Sequence, residues 1–156
     1  MEKKERQKDM DKEIMEAVAA ADMTLKSLDE AAGYLSKAAD WGIWDMLGGG
    51  LFGTFMKHSR MDDARHAMEL ARTQMRRLKR ELLDVELPGD FKLDVGDFLT
   101  FADYFFDGLI ADWMVQSRIK DAARQVDEAK RRIGQIRIQL CSMRAALPCE
   151  DEGGNE

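Results

Sequence analysis

Residues 50–82, GLFGTFMKHSRMDDARHAMELARTQMRRLKREL, align without a gap on residues 108–140, GLIADWMVQSRIKDAARQVDEAKRRIGQIRIQL. Gly50, Leu51, Met56, Ser59, Arg60, Asp63, Ala64, Ala71 and Leu82 meet Gly108, Leu109, Met114, Ser117, Arg118, Asp121, Ala122, Ala129 and Leu140. Other pairs keep their character: Phe52 meets Ile110, Phe55 meets Trp113, and Met61 meets Ile119. The chain therefore contains an internal duplication, with copies over about 33–86 and 91–147. A repeat restricts the fold more than any short motif does. Each copy reads as an apolar, glycine-containing head feeding a long helix.

Working outward from the repeat, three heptad seams appear. The first is Ile14, Val18, Ala21, Leu25, Leu28, Ala32, Leu35, Ala39. The second is Met61, Ala64, Met68, Ala71, Met75, Leu78, Leu82, Val85. The third is Ile119, Ala122, Val126, Ala129, Ile133, Ile136, Leu140, Met143, Leu147. Spacings that alternate four and three, a period of 3.5, signal a left-handed coiled-coil seam. These predict helices over about 3–40, 52–86 and 108–147.

Side-chain size sets the expected pairing. Antiparallel folding about Gly48-Gly49-Gly50 puts Ala32 opposite Met68 and Leu28 opposite Ala71. Antiparallel folding of the second and third helices puts Ala71 opposite Ile136 and Leu78 opposite Ala129. Small meets large in each layer, as constant core thickness requires. The expected fold is all-α: a long antiparallel three-helix coiled-coil bundle with a pseudo-two-fold repeat and its heads at the turns. It forms one domain over 1–147, about 45–55 Å long at ~1.5 Å per residue. A short helix of about ten residues, N-capped by Asp97, is expected before the third long helix. The acidic, Gly-rich tail 148–156 is expected to be disordered.

The heads are WGIWDMLGGGLFGTFM (41–56) and FKLDVGDFLTFADYFFDGLIADWMV (91–115). Between them they hold all three tryptophans. Aromatic residues at helical spacing serve either as apolar plugs closing the bundle or as an exposed patch that docks a partner, since Trp, Tyr, Phe and Met dominate interface hot spots. Trp41, Trp44, Phe52, Phe55, Phe105 and Trp113 are the candidate partner-binding residues. Shallow membrane insertion is a third reading. Asp45, Asp103, Asp107 and Asp112 count against it, because carboxylates are poorly tolerated at that depth and no basic flank attracts anionic lipid.

Chemistry is sparse. His58, Asp62 and His66 recur at i, i+4 and i+8, a spacing metal sites use, and are the candidate metal ligands. The repeat copy places Gln116, Lys120 and Arg124 there, so any such site would be one-sided; surface histidines beside salt-bridging acids explain them equally. Asp45, Asp103, Asp107 and Asp112 read as helix-capping or hydrogen-bonding acids, and placed at opposite ends of the three-helix bundle Asp45 and Asp103 could not share a site. No GxSxG, Walker A, GxGxxG or HExxH motif occurs, so neither catalysis nor a cofactor is expected.

Composition agrees. Charged residues make up 35% of the 156 and there are only two prolines, as in long helices and coiled coils. The net charge of −6 argues against nucleic acid as a partner. Cys141 and Cys149 form no CxxC or Cys/His cluster, which fits a reduced, cytoplasmic setting. The charged N-terminus has no apolar core and does not read as a signal peptide.

The motifs W-G-x-W-D-x-x-G-G-G at 41–50, K-H at 57–58 and D-Y-F-F-D-G-x-x-x-D-W at 103–113 resemble those of a group of bacterial helical proteins of uncharacterised activity. That resemblance covers roughly residues 35–125. It implies a helical, cytoplasmic bacterial protein and carries over no activity or functional residue. The expected role is a non-enzymatic structural or interaction module that engages a protein partner or a second copy of itself.

Overall fold

The computed structural model describes the backbone of residues 1–46, 52–112 and 119–147, and side chains over 1–37, 62–105 and 121–147. The described residues form four helices in chain order: α1 (Glu2–Met46), α2 (Phe52–Asp84), α3 (Gly89–Asp112) and α4 (Ile119–Ala146). No strand occurs among them, and none of their helices is long and apolar enough to cross a membrane.

The helix ends follow from local chemistry. Glu2 and Glu5 sit in the first turn of α1, where the helix dipole favours negative charge. Pro88 disfavours helical geometry at the residue before it, so α2 has closed by Asp84. The Pro88 carbonyl then accepts the Lys92 amide at 2.7 Å, and Asp90 lies in the first turn of α3. Arg144 occupies the last turn of α4, where a cation is favoured.

Chain directions are set by contacts between helices. Lys130, Arg137 and Arg144 of α4 pair with Asp29, Asp22 and Asp11 of α1. Rising numbers on one helix meet falling numbers on the other, so α1 and α4 are antiparallel. Glu13 and Glu16 of α1 lie beside Glu81 of α2, so the far end of α2 returns to the start of α1. Helix α3 meets α2 through Lys79 and Asp103. It meets α4 with Asp94, Asp97 and Phe98 beside Arg131, Arg132, Gln135 and Gln139. Each consecutive pair is antiparallel, giving an up-down-up-down arrangement.

This replaces the expected three-helix layout. Both α2 and α4 run antiparallel to α1, so they are parallel to each other and the antiparallel pairing of the repeat copies does not occur. The reason is α3. Its 24 residues reach about 36 Å at ~1.5 Å per residue, enough to carry the chain back along the bundle before α4 begins. Asp97 is therefore an interior residue of α3, not an N-cap. The repeat copies also break differently: Phe52 opens α2, whereas its counterpart Ile110 belongs to α3. The expected tail, 148–156, lies outside the described residues.

One core joins all four helices. On α2 the buried residues are Ala64, Ala67, Met68, Ala71, Met75, Leu78 and Leu82, continued by Val85; on α4 they are Ala122, Val126, Ala129, Ile133, Ile136 and Leu140. Helix α1 is buried along a wider face: Ile14, Ala17, Ala20, Ala21, Thr24, Ser27, Leu28, Ala31 and Leu35. Val18, Leu25 and Ala32 are only partly buried. The buried face of α1 is thus rotated away from its expected seam, because two helices flank it. Alanines there allow close backbone approach to both α2 and α4, whereas α3 approaches α2 and α4 less closely. Its inward residues, Phe91, Val95, Phe98, Ala102 and Phe105, include three large rings that hold its backbone away from the frame.

Candidate functional site

The up-down-up-down course brings four helix ends together. The end of α1, the start of α2, the end of α3 and the start of α4 all lie toward one end of the bundle. The first head, 41–56, joins α1 to α2 there; the second, 91–115, is not the turn expected of it, because residues 91–112 form α3 and run along the bundle, so that only the C-terminal end of this helix reaches the same place. The side chains of Trp41, Trp44, Phe52, Phe55 and Trp113 lie outside the described residues, as does that of His58. The expectation that the heads occupy opposite ends does not survive the observed helix directions.

Of the aromatic candidates, Phe105 alone has a described side chain. It is 2% exposed and stacks on Phe101 with ring centroids 5.5 Å apart. It belongs to the inward seam of α3, so it packs the core and presents nothing to solvent. Asp62 and His66 are exposed on α2. The one group of potential metal-ligating side chains among the described residues is a different set, Glu13, Glu16 and Glu81. Lys12 lies 3.9 Å from Glu16, and Arg77 lies 3.9 Å from Glu81, so cations already sit beside two of its three carboxylates.

By sequence, the four helices differ in charge. Helix α1 carries eleven acids and seven bases, and α3 six acids and one base. Helix α2 carries eight bases and five acids, and α4 seven bases and three acids. Acidic and basic helices therefore alternate around the bundle. Four ion pairs between helices follow that rule, with acids from α1 or α3 and bases from α2 or α4.

On α4, Arg131 and Arg132 both donate to Glu128. The hydrogen bonds from Arg131 and then Arg132 hold the Glu128 carboxyl down at about 2, well below its usual value of 4.5. The same contact raises Arg131. Arg132 also lies over the Phe101 ring, 4.4 Å from its centroid, a cation–π contact from α4 to α3. The Asp22 carboxylate raises Arg137, first by hydrogen bonding and then by its charge, with a smaller contribution from Cys141.

Two grooves flank α4. The groove toward α3, about 500 Å³, is lined by Asp94, Asp97, Arg131, Arg132, Gln135 and Gln139 over Phe98 and Ile136. The groove toward α1, of similar volume, is mainly apolar, with Met15, Val18, Ala19 and Ala145 beside Asp22, Arg144 and the exposed thiol of Cys141. Sequence reading singled out neither. Both arise where two helices meet across distant parts of the chain.

Comparison with protein families, curated proteins and solved structures finds no match to this chain. The geometry therefore carries the functional reading alone.

Proposed function

We propose that the chain is a non-enzymatic helical scaffold that presents its two aromatic, glycine-rich heads side by side as a docking surface for a protein partner or a second copy of the chain. Its setting in this reading is a reduced cytoplasm. The observation that supports it is the alternation of helix direction. Two turns that would sit at opposite ends of a three-helix rod lead instead from helix ends that converge. Aromatic residues drawn from both heads can then form one patch, with the size and residue types of an interface hot spot. Basic side chains of α2 and α4 already engage acids of α1 and α3, which further supports a protein partner over nucleic acid.

Tryptophan fluorescence tests this directly, because Trp41, Trp44 and Trp113 are the only tryptophans and all lie in the heads. The free protein should show a red-shifted emission that acrylamide quenches readily. Self-association, followed by sedimentation equilibrium, or partner binding should shift the emission to the blue. Trp41→Ala and Trp44→Ala should change stability by no more than about 0.5 kcal/mol while abolishing that association. A blue, unquenched emission from the monomer, with a large loss of stability in these variants, would make the heads internal plugs and end the docking reading.

A further inference from the structure

Helix α3 differs from its three neighbours in how it is held. Alanines let α1 approach α2 and α4 closely, whereas α3 contacts α2 and α4 at longer range across its rings. A groove of about 500 Å³ runs along its boundary with α4, with Phe98 and Ile136 in its lining. Solvent thus reaches the edge of the seam that α3 buries. Two contacts fasten its edges: an exposed ion pair, in which Lys79 donates to both Asp103 oxygens at 3.0–3.1 Å, and a partly buried cation–π contact of Arg132 with Phe101. Pro88 cannot continue α2, and a short non-helical link over 85–88 joins α2 to α3.

Charge distinguishes α3 as well. With six acids and one base it is the most one-signed of the four helices, and it lies between the two basic ones. Its inward seam places Phe91, Phe98 and Phe105 seven residues apart. The seat between α2 and α4 is therefore shaped for one kind of element: an acidic amphipathic helix with aromatic residues at i, i+7 and i+14.

We propose that α3 opens as a unit from a frame of α1, α2 and α4, and that the seat it leaves binds an acidic, aromatic amphipathic helix supplied from outside the chain. Such an element matches the seat because α3, resting there, already supplies the same charge and the same rings. Local opening of this kind draws on the elements with the fewest close contacts. Helix α3 contains most of the second head, 91–115, so its opening also displaces that head; hydrogen exchange on the chain alone reads the opening without any partner and so fails separately from the docking reading above.

Hydrogen exchange on the full chain, read helix by helix, tests the opening. The α3 amides should exchange about tenfold or more faster than those at the centres of α1 and α4. Asp103→Lys should accelerate α3 a further three- to fivefold, roughly what one exposed ion pair is worth. The double variant Lys79→Asp/Asp103→Lys should restore the original rate. A fluorescently labelled peptide of residues 89–112 serves as the external helix, and a scrambled peptide of equal charge sets the non-specific level. The peptide should bind the full chain above that level and bind Asp103→Lys more tightly. Its affinity should fall as salt rises from about 0.05 to about 0.5 M, where screening is several times stronger. Exchange of α3 in step with α1 and α4 would show one cooperative unit and overturn the opening. Peptide binding no stronger than the scrambled control would overturn the seat.

Discussion

Placing a charge at two neighbouring positions of α1 separates the observed packing from the seam that spacing alone suggests. Ala31 is fully buried, while Ala32, a member of the expected seam, is only partly buried. Both substitutions, Ala31→Asp and Ala32→Asp, carry the same loss of helix propensity, about 0.7 kcal/mol. What differs is the environment of the new carboxylate. At position 31 it is enclosed by the α1 face that packs in the core, and leaving a charge unpaired in such a place costs about 3–5 kcal/mol. That is a large share of the roughly 5–15 kcal/mol by which a domain is stable. With the propensity loss the total is about 3.7–5.7 kcal/mol, so at about 2–4 °C per kcal/mol for a chain of this size Ala31→Asp should lower Tm by about 7–23 °C. Ala32→Asp can turn its carboxylate toward solvent and should lose about 1 kcal/mol beyond the shared propensity cost. Urea unfolding followed by far-ultraviolet circular dichroism gives both differences on one scale. If Ala32→Asp proves the more damaging of the two, the rotation of α1 described here is wrong and the simple heptad seam is right.

Two further outcomes follow from single contacts. The Glu128 carboxyl, held at about 2 by Arg131 and then Arg132, should titrate at that midpoint in a carboxyl-detected NMR experiment. Because its folded value lies below the ordinary 4.5, its contribution to stability is complete above the ordinary value and is lost as pH falls through about 2. Arg131→Gln should move the midpoint up toward the ordinary value, and an unmoved midpoint would assign the shift to some other group. Thr24, buried on α1, donates its hydroxyl to the Ala20 carbonyl at 2.7 Å. That carbonyl also accepts within the helix, so Thr24→Val should alter stability by no more than about 1 kcal/mol in thermal unfolding. A loss of several kcal/mol would mean that the hydroxyl serves a partner across the α1–α2 contact.

The seams of α2 and α4 are legible because Met, Leu, Ile and Val, alternating in part with Ala, keep an unbroken four–three spacing there. Met68, Met75, Leu78 and Leu82 on α2, and Val126, Ile133, Ile136 and Leu140 on α4, are all buried. The buried face of α1 was half legible. Ile14, Ala21, Leu28 and Leu35 were in the expected seam and are buried. Ala17, Ala20, Thr24, Ser27 and Ala31 lie outside that seam; Ala17, Ala20 and Ala31 form an apolar flank with room for a further helix, whereas the hydroxyls of Thr24 and Ser27 mask their part of it. They are buried because α1 has a neighbour on each side, and that is a property of the assembled bundle. The six residues by which α1 passes its expected end, Trp41–Met46, were read as a head because glycine and tryptophan suggested a turn. On the site side, Phe105 shows the limit of composition: an aromatic cluster does not reveal which of its rings face inward.

The length of α3 is what the three-helix expectation lacks, although the sequence carries its period. Phe91, Val95, Phe98, Ala102 and Phe105 are spaced four, three, four and three, the same rhythm as the other seams. The density of aromatic residues there masks that period, because the same rings suit surface recognition. Charge offered a second signal. A three-helix bundle would set α2 against α4, two helices each with an excess of bases. Neighbouring helix axes lie about 8–10 Å apart, close to the screening length of ~8–10 Å at moderate salt, so the net sign of adjacent helices matters and that of diagonal helices matters less. Inserting acidic α3 between them gives each helix opposite-signed neighbours on both sides. Individual exposed pairs such as Lys79–Asp103 contribute little stability. Their collective effect is to disfavour the arrangement in which like-charged helices meet. Hydrophobic seams thus supply the cohesion of this bundle, and the alternation of charge selects which helices lie side by side.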